Sequence, residues 1–76
     1  MRLKVYTIET KYNIYYEAKV GDHYYNISVW TGRDAIDRWC ELVEKKENLP
    51  AGTIRAEIDK LNGKVEALVE GEASES

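Results

Sequence analysis

The stretch LKVYTIETKYNIYYEAKVGDHYYNISVW, Leu3–Trp30, decides how this chain folds. Apolar and polar residues alternate through it with a period of two, the pattern of half-buried strands, and two turn signals cut it into three segments. With Gly21-Asp22 as a two-residue turn, Val20 faces His23, Ala18 faces Tyr25, Tyr16 faces Ile27 and Ile14 faces Val29. With Thr10-Lys11 as the turn before it, Thr7 faces Ile14, Val5 faces Tyr16 and Leu3 faces Ala18. Apart from His23 beside the turn, the inward partners are then apolar or Thr, and the outward row sets Lys4 opposite Glu17. A slip of one residue would carry a strand's whole apolar set to the wrong face. The alternation therefore predicts an antiparallel meander.

The same register leaves Tyr6, Ile8, Tyr15, Tyr24 and Trp30 on the other face, with Lys4, Lys19, Asn13 and Asn26 between them. Tyr6 is expected opposite Tyr15, and Trp30 near Asn13. Exposed apolar patches of more than a few hundred Å² mark interaction sites, and Tyr and Trp are enriched at binding hot spots. These five residues are the predicted partner-binding surface. The alternative is that the C-terminal segment folds over them and makes a second core.

Beyond the meander, Thr31 followed by Asp34 has the spacing of a capping box with the shorter acid. Ala35, Ile36, Trp39, Cys40, Leu42 and Val43 then share one arc of a 3.6-residue wheel, while Asp34, Asp37, Arg38, Glu41, Glu44 and Lys45 share the other. Asp34–Arg38 and Glu41–Lys45 are favourable four-residue pairs. Pro50 forbids continuation, so a helix is expected over 32–47. On its solvent side Asp34, Asp37, Glu41 and Glu44 would form an acidic ridge about 15 Å long. Such a ridge would suit a basic, nucleic-acid-handling protein partner.

Residues 53–70 admit two readings. Ile54, Ile58, Leu61, Val65 and Leu68 have heptad-like spacing, but Asn62-Gly63 would sit inside the helix at a cost of about 1.5 kcal/mol relative to alanines. Asn-Gly is also the preferred two-residue hairpin turn. A hairpin about it would align Ile58 with Ala67 and Ala56 with Val69, and this reading is preferred. The expected class is α+β: a small, mostly antiparallel sheet with one amphipathic helix on one face, in the order βββαββ, or βββαα if 53–70 is helical. Residues 1–70 form one domain, and 71–76 are read as a flexible acidic tail.

With 76 residues, the chain buries only about 60% of its unfolded surface, and it has little material for a concave pocket of ~300 Å³ or more. One His and one Cys do not make a zinc site; Cys40, on the inward arc, reads as core. The five glycines fall at element boundaries, where they serve turns rather than a phosphate loop. No catalytic residues, metal or cofactor are expected, and the chain is read as no enzyme. No apolar run approaches the ~20 residues of a membrane span, and a single cysteine fits a reducing, cytoplasmic setting. The net charge is −3. Neither end has the basic density usual in nucleic-acid binders.

In outline, the meander with the Thr31–Glu44 segment resembles the HicB-type antitoxin domain, without that family's Pro-Asp-x-x-Gly stretch. In size, acidity and lack of catalytic residues the chain is similar in kind to the small phage inhibitors of bacterial defence systems, anti-CRISPR proteins among them. The expected function is a small protein-binding module, a stoichiometric inhibitor or regulator of that anti-defence type. The alternatives are a single-stranded nucleic-acid binder that stacks bases on the sheet aromatics, which the charge disfavours, and a homodimer through the same face.

Overall fold

A computed structural model describes residues 2–75, with side chains described as far as Val69. Three antiparallel strands, β1 (Leu3–Glu9), β2 (Ile14–Val20) and β3 (His23–Ser28), form a sheet in the order β1-β2-β3. A single 3-10 turn at Val29–Thr31 leads into α1 (Arg33–Lys46), and α2 (Thr53–Glu75) completes the chain. The class is α+β, in the order βββαα. The expected tail at 71–76 falls where side chains, and finally Ser76 itself, lie outside the described residues.

The β2–β3 register is the expected one at Val20↔His23, Ala18↔Tyr25 and Tyr16↔Ile27, around a turn in which Gly21 takes φ +59°. Ile14 and Val29 do not pair, because β3 ends at Ser28. The β1–β2 register is displaced by two residues: Leu3 pairs with Val20, Val5 with Ala18 and Thr7 with Tyr16. Its turn lies one residue later than expected, on Lys11-Tyr12. The Thr10 hydroxyl is the physical reason. It accepts the amides of Asn13 at 2.9 Å and Tyr12 at 3.3 Å, while the Thr10 N–H donates to the Asn13 carbonyl at 2.8 Å. A Thr that satisfies two turn amides with its side chain belongs at the start of the turn rather than inside it. Because the slide is even-numbered, each side chain keeps its face and changes only its neighbours.

The expected capping box is absent. Gly32, at φ +101°, precedes α1 without a side-chain cap, and the Thr31 hydroxyl instead donates to the Ser28 carbonyl at 2.9 Å. At the other end, Asn48 adopts φ 59°, and the Leu49 N–H reaches back to the Glu44 carbonyl at 2.8 Å. That left-handed exit satisfies carbonyls of the last turn and turns the chain toward α2.

The hairpin expected at Asn62-Gly63 is a continuous helix. Its heptad spacing buries Ile54, Ile58 and Val65 and partly buries Leu61 and Val69, while Ala56 and Ala67, inward in the hairpin, are exposed. The helix keeps Ile54, Ile58 and Val65 inward, as the hairpin would, and exchanges the small Ala56 and Ala67 for Leu61. That added burial offsets the ~1.5 kcal/mol cost of Asn and Gly in a helix. Asn62 also gains a tertiary partner, accepting from the Tyr16 hydroxyl at 3.4 Å.

Both helices lie on the same face of the sheet. The core joins Tyr16 and Ala18 of β2 to Ile36, Cys40 and Val43 of α1 and Ile54, Ile58 and Val65 of α2. Leu3, Val5, Tyr25, Ile27, Val29 and Trp39 pack at its margin. Leu42, expected on the inward arc of α1, is 66% exposed.

Candidate functional site

The outward-pointing residues are Lys4, Tyr6 and Ile8 on β1, Tyr15, Glu17 and Lys19 on β2, and Tyr24 and Asn26 on β3. None of them joins the core cluster, and among the described residues the helices pack on the opposite face. Among the described residues no second core forms on this face. Three cross-strand rows result: Lys4–Lys19–Tyr24, Tyr6–Glu17–Asn26 and Ile8–Tyr15–Ser28. Tyr24 is 59% exposed, whereas Tyr6, Ile8 and Tyr15 are half-buried by their sheet neighbours.

The middle row is a polar bridge. The Tyr6 hydroxyl donates to Glu17 Oε2 at 2.6 Å, and Asn26 reaches the other Glu17 oxygen at 3.5 Å. The bond to Glu17 pushes the Tyr6 phenol up to about 12, because ionising it would place two anions in contact. In the first row the Lys19 ammonium lies 5.5 Å from the Tyr24 ring centre, within cation–π range.

Four of the five predicted binding residues, Tyr6, Ile8, Tyr15 and Tyr24, therefore share this face. Tyr6 stands opposite Glu17, not Tyr15, and Ile8 takes the place beside Tyr15. Trp30 is not among them. It lies in the 3-10 turn, 59% exposed, and lines a recess of about 290 Å³ with Tyr16, Ile36, Ile58 and Val65, on the helix side of the sheet. Ser28 occupies the position near Asn13 meant for Trp30, and its hydroxyl donates to Asn13 Oδ1 at 3.1 Å.

The acidic ridge does not exist as a free stripe. Glu44 is 5% exposed, and its Oε2 accepts the backbone N–H of Ile54 at 2.7 Å and of Arg55 at 3.4 Å. Asp37 is paired with the Arg55 guanidinium, which also reaches Asp59 at 3.1 Å. Only Asp34 and Glu41 stand clear on the surface. Neither expected intrahelical pair, Asp34–Arg38 or Glu41–Lys45, occurs among the described ion pairs.

Sequence reasoning missed three groups that organise the molecule. Glu44 works on a helix that begins ten residues on. Arg55 ties α2 to α1 through Asp37. Glu47 accepts from the Tyr25 hydroxyl and faces His23 Nδ1 at 2.8 Å, which joins β3 to the end of α1. Those two hydrogen bonds hold the Glu47 carboxyl below the usual range, and the bond to Glu47 raises the Tyr25 phenol. Acids at the end of a helix, as Glu44 and Glu47 are, oppose its dipole, and that was the available sign of their tertiary partners. Cys40 is buried as expected, and burial pushes its thiol up to about 11, away from a nucleophile's range.

Leu42 stands between two shallow grooves on the outer side of α1. The more apolar, about 480 Å³, is lined by Tyr25, Trp39, Leu42, Val43, Lys45 and Lys46. Among the described residues no group of His, Cys, Asp and Glu side chains is arranged to hold a metal ion, and no helix is long and apolar enough to cross a membrane. No protein-family model matches the chain, and neither curated proteins nor solved structures give a significant match.

Proposed function

We propose that this protein is a non-enzymatic binding module that engages another protein through its open sheet face and acts as a stoichiometric inhibitor or regulator. One observation carries the reading: both helices pack on one side of a three-stranded sheet, so Tyr6, Ile8, Tyr15 and Tyr24 remain together with none of the described core residues over them. A half-covered sheet of this composition offers large, stiff rings at low entropic cost, which is how protein interfaces are anchored. Small size and net acidity are the grounds for the phage-type anti-defence version of this reading. With Glu44 buried and Asp37 paired, the ridge no longer supports a basic partner, and the sheet face bears the proposal.

A nucleic-acid platform is the less favoured reading, because Glu17 sits in the middle row between the rings, where it repels a phosphate backbone. The test is the pair Tyr15→Ser and Tyr24→Ser. The fold should hold, and proteins retained by the wild type from a cell lysate should be lost, with binding weakened by more than tenfold (about 1.4 kcal/mol). Leu42→Ser should retain them. Loss with Leu42→Ser alone would move the site to α1, and a concentration-dependent dimer that Tyr24→Ser dissociates would replace the partner with a second copy.

A further inference from the structure

The two-residue slide of β1 separates Lys4 from Glu17 and sets it directly opposite Lys19. The Arg2 carbonyl accepts the Gly21 N–H at 3.1 Å, which extends the ladder by one more pair and brings a third cation beside these two. Arg2, Lys4, Lys19 and Asp22 line a shallow recess of about 320 Å³ at this corner of the open face. Like charges directly opposite each other in a sheet are destabilising, and neither Lys4 nor Lys19 is in an ion pair among the described residues. Asp22 shares the recess but lies in no ion pair with them. Glu17, in the adjacent row, is bonded to the Tyr6 hydroxyl and to Asn26 rather than to either lysine, and Tyr24 presents a π face to Lys19. An unneutralised pair of cations beside an exposed ring is a cost within the isolated protein that an external anion removes.

The geometry points to an acidic protein segment as the occupant of this face, its carboxylates seated on Lys4 and Lys19 and its apolar side chains on the Tyr15–Ile8 row. This deepens the proposed function and rests on it. The charge pattern sets the orientation: cations at the Gly21 end, the Tyr6–Glu17 bridge in the middle, and Ile8 with Tyr15 at the far end. A carboxylate placed over the middle row meets Glu17 and is rejected, so only one register of an acidic-apolar segment fits. Opposed potentials of this kind fix register and partner choice.

The experiment is an amide-resolved NMR titration of the whole protein with a short Glu/Leu peptide, its Gln/Leu counterpart, and oligothymidylate. The expected result is movement of the Lys4, Lys19 and Tyr24 amides by the Glu/Leu peptide, about tenfold weaker binding of the Gln/Leu peptide, and about tenfold weaker binding of Glu/Leu to K4E. K4E should also melt about 2–4 °C higher than wild type, since it relieves the like-charge pair. K19Q serves as the second variant, with its fold read from the same spectra. Equal binding of both peptides to these amides would overturn the acidic-partner inference and leave the sheet-face reading intact. Movement confined to Lys45 and Lys46, or none, would overturn both. Tighter binding of oligothymidylate at the same amides would overturn the partner class.

Discussion

The carboxylate of Glu44 accepts the backbone N–H of Ile54 at 2.7 Å, so a side chain of α1 closes the first turn of α2. The N-terminal amides of a helix need such acceptors, and a carboxylate there also meets the positive end of the dipole. Gly52, whose carbonyl accepts the Ala56 N–H at 2.9 Å, brings no side chain to the task. The two helices are thus joined by a buried polar contact as well as by their apolar faces.

Glu44→Ala should therefore lower stability by about 2 kcal/mol, the loss of a cap plus a buried N–H left without a partner. Glu44→Gln, which keeps an acceptor oxygen but not the charge, should fall between Ala and wild type. Urea unfolding midpoints at constant m-value decide the order. A neutral Glu44→Ala would mean that water serves the amides as well as the carboxylate does.

Ile54 is fully buried, whereas Trp39 sits at the core margin. Ile54→Ala should cost about 2–5 kcal/mol, a large share of a small domain's stability. Trp39→Ala should cost less than Ile54→Ala, although the ring is much larger. Thermal and chemical unfolding of the two variants test the ranking.

Tyr6 should stand apart when the phenols are titrated by ultraviolet absorbance. Its raised value means that the neutral phenol is the form the fold favours. That contribution is complete below the ordinary tyrosine pKa of ~10 and is lost as pH rises through about 12. Glu17→Gln should return one late-titrating phenol toward the normal range. Tyr6→Phe should remove it from the count.

Glu47 predicts the opposite limb. Its folded value is depressed by bonds from Tyr25 and His23, so its contribution is present above the ordinary Glu value of ~4.3 and is lost as pH falls through the folded value. Wild type should lose more stability than Glu47→Gln on acidification from about pH 6 to about pH 3. Parallel urea midpoints for the two proteins across that range would show that the β3–α1 clip carries no proton linkage.

How far the chain could be read in advance follows from where each signal lies. Strand faces are written in a period of two, so Tyr16, Ala18 and Ile27 were placed correctly on the helix side. The β2–β3 pairing was legible because only Gly21 needed a left-handed φ. Two registers of β1 satisfy the same alternation, and a hydroxyl bonding within the turn chose between them. The α2 helix was misread because Asn-Gly is a local signal, whereas the packing of Leu61 on the core and the Tyr16–Asn62 bond are tertiary ones. The ridge failed for the same reason, since nothing in the sequence near Glu44 shows that a second helix begins against it. Trp30 left the aromatic face because the strand stops at Ser28, whose hydroxyl accepts the Trp30 N–H at 3.3 Å.

The Thr10–Asn13 turn has a reach well beyond its own loop. Sliding β1 by two residues leaves Leu3, Val5 and Thr7 facing the helices, so the core discriminates weakly between the two alignments. The outer face is rewritten completely: Lys4 moves from Glu17 to Lys19, and Tyr6 from Tyr15 to Glu17. A hydroxyl at the hairpin tip thus selects which surface the protein displays. Thr10→Val, which removes the acceptor for two turn amides, would act as a change of recognition surface at a position that touches no partner.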